Sequence, residues 1–438
     1  MVPTLREGPD GAAAARGASG RKPCIGGGRC GRVAAVRDRA RPDCARSGRA
    51  RPDCARSGRA RPDCARSGRA GLALRALLCV ASGAACGLAL AEEEPGARIG
   101  LLVRTDTDGT HVVSPSAGLR ASVLDEETYV DLEYTADAWT SASVDVRTAA
   151  TRAIYEQRDE INGGVERVFD DFRLRGGYRF SIENDYESHG GTLSGTLDLA
   201  DNAASLELRL TAQHDLVGRS GDPGFRREHT LAGARLTYTQ VLDTRTVLQG
   251  AYELIHGGGY MASPYRFVGV GGDGRCGGTA QLCVPETHPD ARTRHALVLR
   301  GRRALGERVS GHLDYRFYVD DWGIVANTAA LQLTWAHDDD GLLAVRYRLH
   351  QQGGASFYRA TYPAPGGALR FVTRDRELSP LWTHRLAVSY ERQFDLGEAA
   401  PRLRLAGALG GTLLEYQDFV GLGTVLALDL TLTAGVLL

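Results

Sequence analysis

From about residue 112 onward, apolar and polar side chains alternate strictly over segments of roughly ten positions, with turn-forming residues between the segments. In Ser205 to Gln213, Leu206, Leu208, Leu210 and Ala212 alternate with Glu207, Arg209, Thr211 and Gln213. Leu174, Tyr178 and Phe180 alternate with Arg173, Arg175, Arg179 and Ser181, and Leu343, Val345, Tyr347 and Leu349 with Arg346, Arg348 and His350. Leu386, Val388 and Tyr390 are interleaved with Arg385, Ser389 and Glu391. Successive side chains of a strand point to opposite faces, so each segment has one apolar and one charged face. A soluble antiparallel sandwich also alternates, but its strands usually run to about five or six residues, whereas a tilted strand crossing a bilayer needs roughly nine to eleven. No amphipathic-helix period supplies a second apolar layer. The final segment sets Leu426, Leu428, Leu430, Leu432, Ala434, Val436 and Leu438 against Asp429, Thr431 and Thr433. The pattern predicts an all-β fold, a transmembrane antiparallel β-barrel.

Loop lengths point the same way. Connections at 395–401, 337–341, 304–306, 241–243, 200–202, 170–171 and 136–138 are short and fall on one side. Those at 359–380, 256–291, 215–228 and 148–157 are longer and fall on the other. Short periplasmic turns and long external loops are the asymmetry of outer-membrane barrels. The count is about 16 strands, with 14 to 18 as its range.

The front of the chain is of another kind. Residues 41–70 read RPDCARSGRA three times over, in a Gly-, Ala- and Arg-rich context with little to bury. Such a segment cannot offset the entropy of ordering its backbone, so residues 1–70 are expected to be disordered. The decapeptide lacks the apolar face of a solenoid unit. Its Cys44, Cys54 and Cys64 lack the paired Cys or His spacing of a zinc site, and the segment fits a tandem DNA repeat translated upstream of the true start. Arg75, the apolar run Ala76 to Leu90 and the sequence Ala89-Leu90-Ala91 then read as a signal peptide over 71–91, with cleavage before Glu92. Cys86 has Gly83 three residues before it, where a lipoprotein signal would carry Leu. Residues 92–111 are expected to be a periplasmic segment, and 112–438 the barrel.

Cleavage changes the composition. The chain has 53 basic and 53 acidic residues, but 18 and 6 of these lie in residues 1–91, so 35 and 47 remain and the mature net charge is −12 with His neutral. The mature part has no Lys. A basic patch for nucleic acid is therefore absent from the argument, and no nucleic-acid partner is expected. The expected partners are outer-membrane lipid and the barrel-insertion machinery, and no cofactor is expected. Of nine Cys, only Cys276 and Cys283 follow residue 91; in an oxidising compartment they are a disulfide candidate that would staple the tip of the Gly-rich loop 256–291.

Four strings carry a resemblance: DAWTSASVDVRTAATR (137–152), GGGYMASPYRFV (257–268), YRFYVDDWGI (315–324) and RYRLHQQGGASFY (346–358). In this order and at these separations they resemble an uncharacterised, DUF-type family of bacterial outer-membrane barrels, whose members read YRYYxDxWGI and RYYxQSAADFY at the matching places. The resemblance covers about residue 112 to the C-terminus. It implies outer-membrane location and barrel architecture, and no established activity. Two features depart from it: Leu438 stands where barrels usually end in Phe or Trp, and the Cys276–Cys283 insertion lies outside the family pattern.

Strand parity assigns the inner wall. The predicted lumen-lining residues are Arg173, Arg175, Arg179, Glu207, Arg209, Arg235, Glu253, His312, Asp314, Arg316, Arg346, Arg348, Arg385, Glu391, Arg402 and Arg404, with Glu133 among the acids. On the strand from Arg308 to Val319, Tyr315 and Phe317 face lipid near the outer interface; Trp322 at the following turn and Trp335 at the opposite interface complete an aromatic girdle. Asp320, Asp321 and Gly323 are expected to make that turn in water. About 16 strands leave an interior wide enough for an aqueous channel, and rows of Arg favour anions, so one reading is a diffusion pore for small, anion-preferred solutes. The other is a structural barrel whose charges pair across strands and plug the lumen. A rim-located hydrolase has less support: His214, His229, His256, His288 and His295 fall near the outer end, but no G-x-S-x-G or H-E-x-x-H string occurs. The acid runs Asp338 to Asp340 and Asp170-Asp171 lack EF-hand spacing and sit where hairpins turn, so no metal site is assigned.

Overall fold

Sixteen antiparallel strands close into one barrel in a computed structural model that describes residues 95–141, 154–363, 369–397 and 401–438. The expected disordered segment and signal peptide lie outside the described residues. In chain order the barrel strands are β1 (Gly96–Asp106), β2 (Thr110–Ser122), β3 (Thr128–Ser141), β4 (Ile154–Val168), β5 (Phe172–Ile182), β6 (Tyr186–Leu199), β7 (Ala204–Val217), β8 (Arg227–Asp243) and β9 (Thr246–Gly259). Two short strands, β10 (Phe267–Val270) and β11 (Leu282–Pro285), pair with each other in the next loop. The barrel then resumes with β12 (Ala291–Ala304), β13 (Val309–Asp320), β14 (Val325–Ala336), β15 (Gly341–Gln352), β16 (Leu381–Asp395), β17 (Arg402–Tyr416) and β18 (Thr424–Leu437). The helix among the described residues is one 3-10 turn, Arg376–Leu378.

Each strand pairs with its sequence neighbour, β9 pairs with β12, and β1 pairs with β18 from Gly96↔Leu437 to Asp106↔Ala427. In hydrocarbon every unpaired backbone group costs several kcal/mol, so a spanning sheet must close. The alternation places Leu297, Leu299, Leu313, Leu331, Leu386, Leu409, Leu428 and Leu432 on the outside, all exposed. A barrel with polar residues inside and a continuous apolar exterior is stable only where lipid covers it, and the protein is an outer-membrane barrel.

Three expectations about elements are corrected. The barrel begins at Gly96, not at residue 112, because β1 occupies most of the segment read as periplasmic; its outward Ile99 and Val103 are exposed. Residues 136–138 are not a turn. Ala136-Asp137-Ala138 continues β3, where Asp137 pairs inward with Arg158, and the turn lies at 123–127, with Leu124 at φ 67°. Of the outer loop expected at 148–157, residues 154–157 belong to β4 and the rest lies outside the described residues.

The lipid face makes a direct prediction. Leu409, 61% exposed near the middle of β17, should lose about 2–4 kcal/mol of stability as Leu409→Arg, read as a lower urea midpoint for unfolding from vesicles.

Candidate functional site: the lumen wall and its outer cap

By register the sixteen residues expected at the lumen lie on the face opposite the exposed leucines, and most are brought into ion pairs. Arg175 reaches Asp131 at 2.6 Å and Glu166 at 3.6 Å; Arg179 reaches Glu160 at 2.7 Å; Arg173 reaches Asp198 at 3.5 Å. Arg209 pairs with Glu207 at 2.8 Å, Arg316 with Glu253 at 3.3 Å, and Arg404 with Glu391 at 2.6 Å. Asp314 gathers His312 at 2.9 Å and Arg346 at 2.5 Å. Arg385 holds Asp429 through two bonds of 2.5 and 2.8 Å. Arg235, Arg348 and Arg402 share the inner face. Parity alone would have added Arg98, Arg120, Arg158, Asp131, Glu160 and Glu166, which complete this network.

Several pairs skip a strand, and glycine makes that possible. Arg98 on β1 reaches Glu133 on β3 over Gly118 of β2; Arg175 on β5 reaches Asp131 on β3 over Gly164 of β4; Arg385 on β16 reaches Asp429 on β18 over Gly410 of β17. A Cβ at these glycines would lie 2.8 Å from Arg98 Nε, 2.8 Å from Asp131 Oδ1, and 2.7 Å from Asp429 Oδ2. The bridging side chains occupy the space that a side chain on the middle strand would fill.

The charges are unevenly shared around the ring. By parity, the contiguous half made of β12–β18 and β1 presents twelve arginines against six carboxylates, Asp106, Asp314, Asp320, Glu391, Asp395 and Asp429. The other half, β2–β9, presents eight arginines, Arg120, Arg158, Arg173, Arg175, Arg179, Arg209, Arg227 and Arg235, against ten carboxylates before the β8 bulge.

At the outer mouth the loop 260–290 and the described parts of the loop 353–380 fold together. Isolated bridges join Val270 to Tyr362 and Thr287 to Val372, and Val268, Val270, Tyr362 and Val372 form a small buried core. Glu286 lies at the centre of a buried polar network. It accepts bonds from Thr373 Oγ1 at 2.5 Å and the Arg374 amide at 3.0 Å, and pairs with Arg266 at 3.1 Å; Arg266 also pairs with Asp375 at 3.0 Å. Burial opposes its ionisation, but Arg266, His288 and Thr373 outweigh that and hold the Glu286 carboxyl well below the usual carboxylate range. The unit is tied to other outer connections: Arg376 to Asp108 at 2.9 Å, Tyr265 to Asp185, Tyr358 Oη to the Asp418 carbonyl at 2.5 Å, and the Ser356 amide to the Trp322 carbonyl at 2.8 Å. These anchors lie on the β1–β2, β5–β6, β17–β18 and β13–β14 connections, so the two loops span the mouth as a cap. Cys276 and Cys283 are disulfide-bonded in the cap's first loop.

Two assignments change here. Trp322 is not in the lipid girdle: it is 2% exposed, its Nε1 donates to the Ala291 carbonyl at 2.8 Å, and Arg292 stacks on its ring at 4.4 Å. Asp320 is not in water either, being buried and held by Arg292, the Tyr318 hydroxyl at 2.8 Å and the Ile324 amide at 2.9 Å. Gly323, at φ 88°, makes the turn with Asp321. Tyr315, Phe317 and Trp335 are exposed on the outer face of the barrel. Of the His residues near the outer end, His214, His256 and His295 lie on the outer wall, His229 is buried against Asp215 at 2.9 Å, and His288 packs in the cap against Trp322. Glu156, Glu183 and Asp185 bring carboxylate oxygens within 4.8 Å of one another, an acid group the sequence reading did not single out.

Three of the four strings singled out in the sequence converge in this region. GGGYMASPYRFV supplies Met261, YRFYVDDWGI supplies Trp322 and Ile324, and RYRLHQQGGASFY supplies Ala355 and Tyr358, all in one buried cluster with Leu378, Tyr416 and Phe419. Residues 225–400 match the model of a family described as a protein of unknown function, DUF3570. The matched segment runs from β8 to β16 and contains both cap loops whole. No curated protein sequence matches significantly. Solved structures similar to this chain include a bacterial polysaccharide outer-membrane secretin, 10% identical over 79% of this chain and 100% of that one, with a TM-score of 0.46. OccD3 (OpdP) of Pseudomonas aeruginosa is 11% identical over 82% and 94%, with 0.42, and a Pseudomonas aeruginosa FadL homologue 11% identical over 78% and 90%, with 0.38.

The wall and the cap each give a prediction. Gly410→Leu should displace the Arg385–Asp429 bridge and cost about 1–3 kcal/mol in urea unfolding, while Gly411→Leu, whose Cβ would meet only Leu428 at 3.7 Å on the lipid side, should cost little. In the cap, the protein crowded around it and then the Asp375 charge push the Glu377 carboxyl up from 4.5 to about 7, although the residue itself still reaches water. The folded cap thus favours the protonated acid, so the stability present below 4.5 is lost as pH rises to about 7. With the other tryptophans replaced by Phe, the melting of Trp322 fluorescence should move up between pH 8 and pH 5, and Glu377→Gln should flatten that dependence.

Proposed function

We propose that this protein is a passive diffusion pore for small solutes, with its outer mouth narrowed by the cap. One observation supports the reading above others. Charged side chains on the inner wall stay in contact with water although they are ion-paired: the Arg346 side chain is 39% exposed, that of Arg175 36% and that of Arg385 31%. A lumen packed solid by its own side chains would bury such groups. Ion pairs along the wall instead leave a hydrated path, and a ring of this size has room for one. The excess of Arg over carboxylates along the wall supports a mild preference for anions.

A second reading has its own support. The cap has a hydrophobic core, a buried ion network and anchors around the mouth, which also suits a closed barrel whose outer surface serves a partner. In either reading the protein acts as a conduit or a scaffold.

Purified full-length protein in planar bilayers separates the two readings. The pore reading expects discrete conductance steps in potassium chloride, with a reversal potential in a salt gradient displaced modestly toward anions. A bilayer that stays closed at all voltages leaves the scaffold.

A further inference from the structure

The sorting of charge around the lumen has a consequence for which solutes pass. One contiguous half of the wall has twice as many arginines as carboxylates, while the facing half has more carboxylates than arginines. Strands eight apart in this ring of sixteen lie opposite one another, so β2–β6 face β12–β16 across the lumen. Just under the cap, each half keeps one ionisable side chain without an ion-pair partner among the described residues. Arg294 on β12 has no carboxylate within ion-pairing distance among the described residues, and its Nε is buried without a hydrogen-bond partner. Its cross-strand neighbour Asp320 is already committed to Arg292, Tyr318 and Ile324. Six strands away around the ring, Glu156 on β4 has a buried Oε2 with no partner, and its near neighbours Glu183 and Asp185 are acids. Both residues sit within the first turn-proximal positions of strands that start at the outer mouth.

Fixed charges of opposite sign on facing walls produce a field across the lumen rather than along it. Low-dielectric walls concentrate that field in the water between them. A singly charged solute is drawn to one wall and repelled by the other. A neutral solute gains nothing. A small zwitterion can turn so that its carboxylate faces the arginines and its ammonium faces the carboxylates, and it keeps both attractions while it moves through. We infer that the lumen favours zwitterionic solutes, of which free amino acids are the smallest class, over uncharged solutes of the same size. This inference rests on the pore reading.

The test uses one preparation of the full chain for two measurements. Conductance in planar bilayers reports whether the lumen is open, and osmotic swelling of proteoliposomes reports entry of glutamine, a zwitterion, and ribose, an uncharged solute of similar mass. The expected result is conductance together with glutamine entry at least about twofold faster than ribose. Arg294→Gln and Glu156→Gln, each checked for a folded barrel by its heat-dependent gel mobility, should bring the glutamine-to-ribose ratio down toward one. Conductance with a wild-type ratio of one or less overturns the zwitterion preference and leaves the pore. A ratio that persists in both variants overturns the assignment to this charge separation. Absence of conductance and of swelling overturns the pore reading, and the preference with it.

Discussion

Everything in this barrel depends on the pairing of β1 with β18. The sheet has no water on its outer side to take up unpaired amides and carbonyls, so the ring must close through backbone hydrogen bonds, and eleven residue pairs from Gly96↔Leu437 to Asp106↔Ala427 do so. Closure sets the outer face against lipid and turns the inner face toward the lumen. The usual rule of protein interiors is thereby reversed, and the exposed leucines and the inward arginines are two results of the same constraint.

The inner wall then has to hold many charges without a packed core. It does so by pairing them across and between strands, which costs little where water still reaches the groups. The cap follows the opposite rule. There Glu286 and Asp375 are withdrawn from water, and they persist because each has the half-buried Arg266 as a charged partner and hydrogen bonds at once. A small conventional core around Trp322, Tyr358 and Phe419 fixes the cap to the barrel rim. The DUF3570 match covers the whole of this cap together with the strands that carry it.

Much of the barrel was legible from alternation alone. A period of two, sustained over about ten residues, states which side chains share a face, and the sixteen-strand count and the inner-face arginines follow from it. Alternation failed where side chains are small or where partners are distant in sequence. β1 is hidden because Gly96, Ala97 and Gly100 weaken the contrast between its faces, and 136–138 resembles a turn because Ala-Asp-Ala is short and polar. Sequence alone puts Trp322 in lipid because an aromatic residue next to a turn is usual at an interface. Its burial is decided by Phe357 and His288, which reach it from two loops and leave no periodic trace. The cap as a whole was invisible for the same reason: its ion network joins residues such as Glu286 and Thr373 that are far apart in the chain.

The bridges that pass over glycine settle a question that hydrophobic pattern leaves open. Sliding one strand past its neighbour by a single residue would turn its leucines inward, and the membrane forbids that. Sliding by two residues keeps each strand's outward and inward faces unchanged, so the alternating pattern cannot tell the two alignments apart. Such a slip would, however, bring a residue with a Cβ to where Gly118, Gly164 or Gly410 now lies, into the space of the bridging side chains, and part an arginine from its carboxylate two strands away. Three glycines with their spanning ion pairs therefore act as alignment pins: lipid selects the parity of each strand, and the pins select which of the permitted offsets becomes the barrel.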